Sequence, residues 1–462
     1  MVKRSIFVLI AFLIVVSMLE GVARSITHTR LVQRAPSYHS TMINDPVLHH
    51  IWRPSLKKID KSRSIFYTLI TNSQSWVEEH DVALEKPSNT FRIFYVGDST
   101  TQGVVDPQYK MVEIVERELN ERYANQDIRF EVINTGTSSY SFIPYYLLIK
   151  TKLLLYAPDL IFINIDMTDV ANDAAYRRLM VTGDDGDILA IPAEVSQRYI
   201  LTPQGHAKID IAFTLPALLV RNSDFFYLVD LAIRKIALRR NPPVVQKQAN
   251  WLELQWTPTI EKNVNASMKV LASIVKLART HHVDVCVTAV PHFPQYIGMW
   301  SSLPHEVLGQ ISEKAGIRYL NSFLALREKI VGSELSRYYW ASDGTHFNRD
   351  GNKIWAEAHL EFLFNPDNHL LPYSRYSKAE VIQQLGQSAL FWKEISNRQT
   401  KKRAVAYFLD QYRQRGVQIK KSPERYVALL DSTLSEKPQL LQAPIAKLLK
   451  DLAVLENDIS TR

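Results

Sequence analysis

The chain has 462 residues, 46% of them hydrophobic and 22% charged, which suits one large domain with an appendage and excludes a disordered polymer. Its single cysteine, Cys286, excludes an intrachain disulfide framework and a cysteine-based metal site. Net charge is +8, and the stretch from Pro366 onward holds 16 Lys or Arg against 10 Asp or Glu. A solvated helical surface accounts for that excess, with a patch facing anionic lipid or acidic polysaccharide as the sharper alternative.

The first residues, MVKRSIFVLIAFLIVVSMLEGVARS, place Lys3 and Arg4 before an uncharged apolar run from Ile6 to Leu19. An uncleaved membrane anchor and a signal peptide cut after Gly21-Val22-Ala23 both fit. In either case the basic end stays cytoplasmic and everything after about residue 24 is exported, so nucleic acid is disfavoured as a partner. The expected localisation is a single N-terminal membrane helix with the bulk on the extracytoplasmic side. Residues 25–88 read as a stalk and lead-in, with DPVLHHIWRPS as an extended segment laid on the main domain.

A regular alternation follows. FRIFYVG is a short apolar strand, and YKMVEIVERELNERYA is a helix with Met111, Val112, Val115 and Leu119 on one face. FEVIN is a second strand, PYYLLIKTKLLLYA an apolar helix stopped by Pro158, and DLIFINI a third strand. An insertion at about 172–258 then interrupts the pattern. It contains a hairpin, GDDGDILAIP, and an amphipathic helix, LPALLVRNSDFFYLVDLAIRKIALRR, which Arg221, Asn222 and Asp224 exclude as a membrane span. VNASMKVLASIVKLARTHH returns to helix, and VDVCVTAVP and GIRYLN supply a fourth and a fifth strand. Strands alternating with helices predict a parallel sheet covered on both faces. Cys286, inside the fourth strand, reads as a small buried hydrophobe. Residues 366–462 carry only helical spacing and form an appendage.

In an open parallel sheet, ligands gather beyond the carboxyl ends of the strands. The loop after the first strand reads Gly97-Asp98-Ser99-Thr100-Thr101-Gln102-Gly103, and a tight strand-to-helix turn there would offer Ser99 unpaired N–H groups. Read without partners, the same residues are an ordinary helix cap. Far along the chain, ASDGTHFNRDGN places Asp343 and His346 three apart in a glycine-containing turn. That spacing lets the carboxylate fix the imidazole tautomer while the other ring nitrogen faces a serine.

Together, GDS-x-T-x-G and D-G-T-H-F-N resemble the GDSL/SGNH hydrolase superfamily over roughly residues 90–365. The resemblance implies a three-layer α/β sandwich with a five-stranded parallel sheet of flavodoxin-like order. It also implies Ser99 as nucleophile, His346 as general base, Asp343 as its orienting partner, and an oxyanion hole from the N–H groups of Ser99 and Gly136. The third donor of that family is an asparagine in a G-x-N-D block. In PDLIFINIDMTDV, Asp166 falls where the family has Gly and Thr168 where it has Asn, while Asp169 keeps its place. Losing one donor costs about 2.7–4 kcal/mol, roughly 10²–10³ in rate. Asn172 lies four residues late for the role and Asn164 points from within the strand, so Thr168 stands as the expected third donor. His292, after the fourth strand, and Asp98 are candidate substrate contacts. No cluster has metal-ligand spacing and no glycine loop cradles phosphate, so no cofactor is expected.

The resulting expectation is an exported serine esterase or acyl-transfer enzyme, working on an acyl ester of an envelope or extracellular glycan. The alternatives are a non-catalytic polysaccharide-binding protein on the same fold, or an assembly factor acting through its helical tail.

Overall fold

The computed structural model describes residues 14–25, 41–62, 65–192, 199–201, 207–209, 223, 225–226, 228–229, 232–233, 250–341, 343–373 and 376–459. Two antiparallel hairpins come first, β1 (Met42–Asp45) with β2 (His49–Trp52) and β3 (Lys57–Ser62) with β4 (Ile65–Ile70). The central sheet is built from β5 (Thr90–Gly97), β6 (Arg129–Asn134), β7 (Leu160–Ile165), and two later strands. Two small hairpins stand between, β8 (Val181–Thr182) with β9 (Ile188–Ala190) and β10 (Tyr199–Leu201) with β11 (Ala207–Ile209). The first falls where GDDGDILAIP predicts one. The later strands are β12 (Asp284–Ala289) and β13 (Arg318–Leu320), and the sheet order is β13-β12-β7-β5-β6 with every pair parallel.

Alternation along each strand explains the layers. Phe94, Val96, Ile133, Ile161, Ile163 and Val287 point to one face. There they meet α3 (Phe142–Thr151) and α5 (Pro258–Thr280). Their neighbours Ile93, Tyr95, Val132, Phe162 and Cys286 point the other way. Those pack on α2 (Met111–Arg122) and α7 (Arg349–Phe364). A strand buried on both faces is a continuous apolar run, and β7 is buried at all six positions. Numbered within the sheet, the strands run 2-1-3-4-5, the flavodoxin-like order, so the chain reverses direction across the sheet between β5 and β7.

The lead-in is more than a stalk. Leu48 and Trp76 belong to the main core, and the Trp52 indole N–H donates to the Gly136 carbonyl at 2.9 Å. His50 Nε2 donates to the Ser138 carbonyl at 2.8 Å, and the Tyr140 hydroxyl donates to the His50 carbonyl. Burial drives both histidines toward the neutral form, His50 down to about 4 and His49 to about 2, so the pair braces the loop after β6 without charge.

After Pro366 the chain is helical, with α8 (Lys378–Gln387), α9 (Arg398–Arg413), α10 (Pro423–Glu436) and α11 (Ile445–Ile459). Their apolar stripes form a separate core around Val381, Trp392, Leu409, Leu430 and Leu449. This unit meets the sheet at the amino ends of its strands. A cavity of about 200 Å³ there is lined by Asp159 and His282, which precede β7 and β12, and by Arg398, Lys402 and Val427.

Residues 14–25 are helical, and Ile14, Val15, Met18, Leu19 and Val22 are exposed. Among the described residues no helix is long and apolar enough to cross a membrane. The expected N-terminal membrane helix is thus not found, and the part of its apolar run before residue 14 lies outside the described residues. Most of the amphipathic helix expected after Leu215 lies outside them too; Phe225, Phe226, Leu228, Val229, Ala232 and Ile233 are helical.

Candidate active site

Ser99 sits where the sheet order predicts a ligand crevice. It opens α1 (Ser99–Gln102), immediately beyond the carboxyl end of β5. The turn is tight because Gly97 allows it: a Cβ there would lie 2.0 Å from Thr101 Oγ1. Asp98 caps α1, accepting the Thr100 N–H at 2.8 Å and the Thr100 hydroxyl at 2.7 Å. The helix-cap reading of these residues is therefore true of Asp98, and it leaves the Ser99 hydroxyl for other work.

The turn before α7 brings the partners. His346 Nε2 lies 2.9 Å from Ser99 Oγ, and His346 Nδ1 lies 2.7 Å from Asp343 Oδ2. A carboxylate can only accept, so the ring carries its proton on Nδ1 and presents a lone pair to the serine O–H. Asp343 is held in turn by its second oxygen, which accepts the N–H groups of Thr345 at 3.0 Å and His346 at 3.1 Å. Burial alone would raise the Asp343 pKa, but the hydrogen bond and charge of His346, together with the N–H groups of Thr345 and His346, outweigh it and bring the carboxyl down to about 2. Burial alone would lower His346, and the bond to Asp343 works against that. The charges of Asp343, Asp98 and Asp166 push the imidazole further up. Residues 247 positions apart are thus joined in one hydrogen-bonded chain.

The oxyanion side departs from expectation. The Gly136 N–H donates to Asn134 Oδ1 at 3.0 Å, so it is turned into its own loop. Gly136 is required there by close approach, since a Cβ would fall 2.3 Å from the Gln102 backbone nitrogen. Thr168 donates both its N–H, at 2.8 Å, and its hydroxyl, at 2.7 Å, to Asp166 Oδ1. A threonine has one O–H, so Thr168 has no donor left for an oxyanion.

Asp166 explains the rearrangement. Its second oxygen lies 2.8 Å from His292 Nε2, and the two side chains are only 2% and 1% exposed. His292, expected to meet substrate in the crevice, is instead a buried partner of Asp166, with its N–H donated to Gln295 Oε1 at 2.8 Å. Asp98, the other candidate substrate contact, is likewise buried. Burial alone would raise Asp166, but the charge and hydrogen bond of His292 hold it below the usual carboxylate range.

Three carboxylates, Asp98, Asp166 and Asp169, converge here with oxygens within 4.8 Å of one another. The sequence reading found no metal-ligand spacing because the three come from two loops. Asp166 is compensated by His292. Burial first, and then the Asp166 charge, push Asp98 up to about 7. Burial first, and then the charges of Asp98 and Asp166, raise Asp169 well above the usual range, so its carboxyl favours holding a proton.

No family model matches the chain, and no curated protein matches its sequence. Solved structures do resemble it. The acetylxylan esterase Axe2 of Geobacillus stearothermophilus is 13% identical over 59% of this chain and 94% of its own, with a TM-score of 0.35. LAE5, an α/β hydrolase enzyme from the metagenome of Lake Arreo, is 12% identical over the same shares, also with a TM-score of 0.35.

Proposed function

We propose that the chain is a serine esterase or acyl-transfer enzyme of the SGNH type, with Ser99 as nucleophile, His346 as general base and Asp343 as its orienting partner. The observation that carries this reading is the unbroken pair of contacts, 2.9 Å from Ser99 to His346 and 2.7 Å from His346 to Asp343. In the forward step His346 takes the Ser99 proton as Oγ attacks the acyl carbonyl. The imidazolium, supported by Asp343, then protonates the departing alkoxide. Water or a sugar hydroxyl, deprotonated by the same ring, resolves the acyl-enzyme and restores the serine.

We infer export from Lys3, Arg4 and the apolar run of residues 6–19, and the exposed apolar side chains of residues 14–22 are in keeping with it. An enzyme so placed meets the acylated glycans of the cell envelope first, and these are the substrates we assign to it.

The test is p-nitrophenyl acetate hydrolysis by the full chain in detergent, beside Ser99→Ala. Turnover is expected in the parent and a loss of at least roughly 10³-fold in the variant. A specific observation favours one rival: with Gly136 and Thr168 committed elsewhere, a polysaccharide-binding protein on this fold would show the same geometry. Equal, background-level rates in the parent and Ser99→Ala would overturn the esterase reading and turn the search to polysaccharide binding.

A further inference from the structure

The proposed mechanism uses Asp343 and leaves a second acid beside the nucleophile without a task. Asp98 Oδ2 lies 3.4 Å from Ser99 Oγ, on a side chain that is 4% exposed. Ser99 has one hydroxyl proton and directs it to His346 Nε2, since the ring proton is on the side of Asp343. No serine proton is then left for Asp98. Asp98 Oδ1 already accepts the Thr100 N–H and hydroxyl, so a proton on this carboxyl sits on Oδ2 and faces Ser99 Oγ. Without that proton, two acceptor oxygens face each other in a buried site.

The surroundings keep the proton in place. Asp166 follows β7, Asp169 opens α4 (Asp169–Tyr176), and side-chain oxygens of the three acids lie within 4.8 Å of one another. His292 balances one of these charges, that of Asp166. From α3, the Tyr145 hydroxyl donates to Asp169 Oδ2 at 3.0 Å rather than to Asp98. Like charges so close in a buried site cannot all be ionised. Burial first, and the Asp166 charge second, hold the Asp98 proton up to about 7, against the pull of the Thr100 hydrogen bonds and of His346.

We propose that Asp98 serves the Ser99 reaction as a carboxylic acid, with its Oδ2–H facing the nucleophilic oxygen, and that ionisation of Asp98 switches the site off. This rests on Ser99 being the nucleophile. During attack the Ser99 proton passes to His346 Nε2, the Oγ–C bond forms and the carbonyl π pair moves onto oxygen, while Asp98 keeps its own proton. Oγ and the new oxyanion are bonded to the same carbon, so negative charge develops two bonds from the atom that Asp98 faces. A protonated Asp98 is neutral there and carries a donor. An ionised Asp98 is a like charge in a buried site, where repulsion is weakly screened. The repulsion would go unrelieved by Gly136 and Thr168, which donate elsewhere.

The experiment compares the full chain with Asp98→Asn and Asp166→Asn. It reads the pH dependence of kcat/KM for p-nitrophenyl acetate, the infrared carbonyl band of protonated carboxylic acids, and the thermal unfolding midpoint. The parent is expected to lose about ten-fold in kcat/KM for each pH unit above a limb at about 7. Asparagine caps a helix as aspartate does and keeps a donor toward Ser99 without a titrating charge, so Asp98→Asn should hold its midpoint and lose that limb. Asp166→Asn removes the neighbouring charge that raises Asp98, so its limb should move to lower pH. The carboxylic-acid component that fades from the parent across the limb should be missing from Asp98→Asn. A descending limb that survives in Asp98→Asn, or an infrared component that survives there, would overturn this inference alone. A parent with no Ser99-dependent turnover at any pH would overturn it together with the proposed function.

Discussion

At the scale of single residues, the site couples a serine triad to an unusual concentration of carboxylate. Asp343 is placed to orient His346, as the proposed mechanism requires. Asp98 and Asp166 add negative charge from the other side, and both push His346 upward. The consequence for pH dependence has a definite sign. His346 is a base only when neutral, so activity appears as pH rises through its pKa, and a neighbouring negative charge moves that limb to higher pH. Asp98 has its own pKa near 7, so its charge grows in over the range where the enzyme would work. Asp98→Asn keeps the shape and removes the charge. The acid limb of kcat/KM for p-nitrophenyl acetate should then move to lower pH. A limb left in place would show that Asp98 stays protonated throughout catalysis.

What the sequence revealed at this scale has a clear physical boundary. Ser99, Asp343 and His346 were legible because each lies in a local turn whose spacing dictates its chemistry. Asp166 and His292 were not legible as a pair, since they are 126 positions apart and only the folded sheet brings them together. Thr168 was expected as a donor from its place in the resembled block, although the Asp-x-Thr spacing is itself a local turn pattern in which Asp166 takes both the N–H and the hydroxyl of Thr168.

At the scale of elements, the loop after β6 is held from two sides. It is pressed against α1 through Gly136 and braced from outside by Trp52, His50 and Tyr140. Gly136→Ala would set a methyl group against backbone rather than against a yielding side chain. It should destabilise the fold by about 1–3 kcal/mol, measured by urea unfolding, and slow turnover by displacing α1. An unchanged midpoint with full activity would mean that the two loops separate freely. The strands and long helices were readable from apolar periodicity, and β5, β6, β7, β12 and β13 appear where it placed them. The lead-in was harder to read. Its strands are short and pair with one another as hairpins, while side chains such as Trp52 and His50 bond to a loop of the main domain.

At the scale of the whole molecule, two ends of one sheet are put to different use. Ser99 lies beyond the carboxyl ends of the strands, while the helical appendage is docked at the amino ends, through Arg398 and Lys402 near Asp159 and by the Lys378–Asp127 ion pair at 3.1 Å. The appendage also has a hydrophobic core of its own. A chain ending at Leu371 should therefore still hydrolyse a small ester within a few-fold of the parent rate. Loss of all turnover in a chain that remains folded by circular dichroism would show that the appendage reaches the site. The basic excess of the appendage makes it the natural candidate for polymer or surface contacts, which a small ester does not probe.

The most direct test of the nucleophile is to label the full chain with a fluorophosphonate and map the adduct by mass spectrometry, beside Ser99→Ala and His346→Ala. A phosphonyl group on Ser99, absent from the first variant and formed far more slowly in the second, is the predicted result. An unlabelled Ser99, or labelling that ignores the loss of His346, would contradict a catalytic Ser99–His346–Asp343 triad.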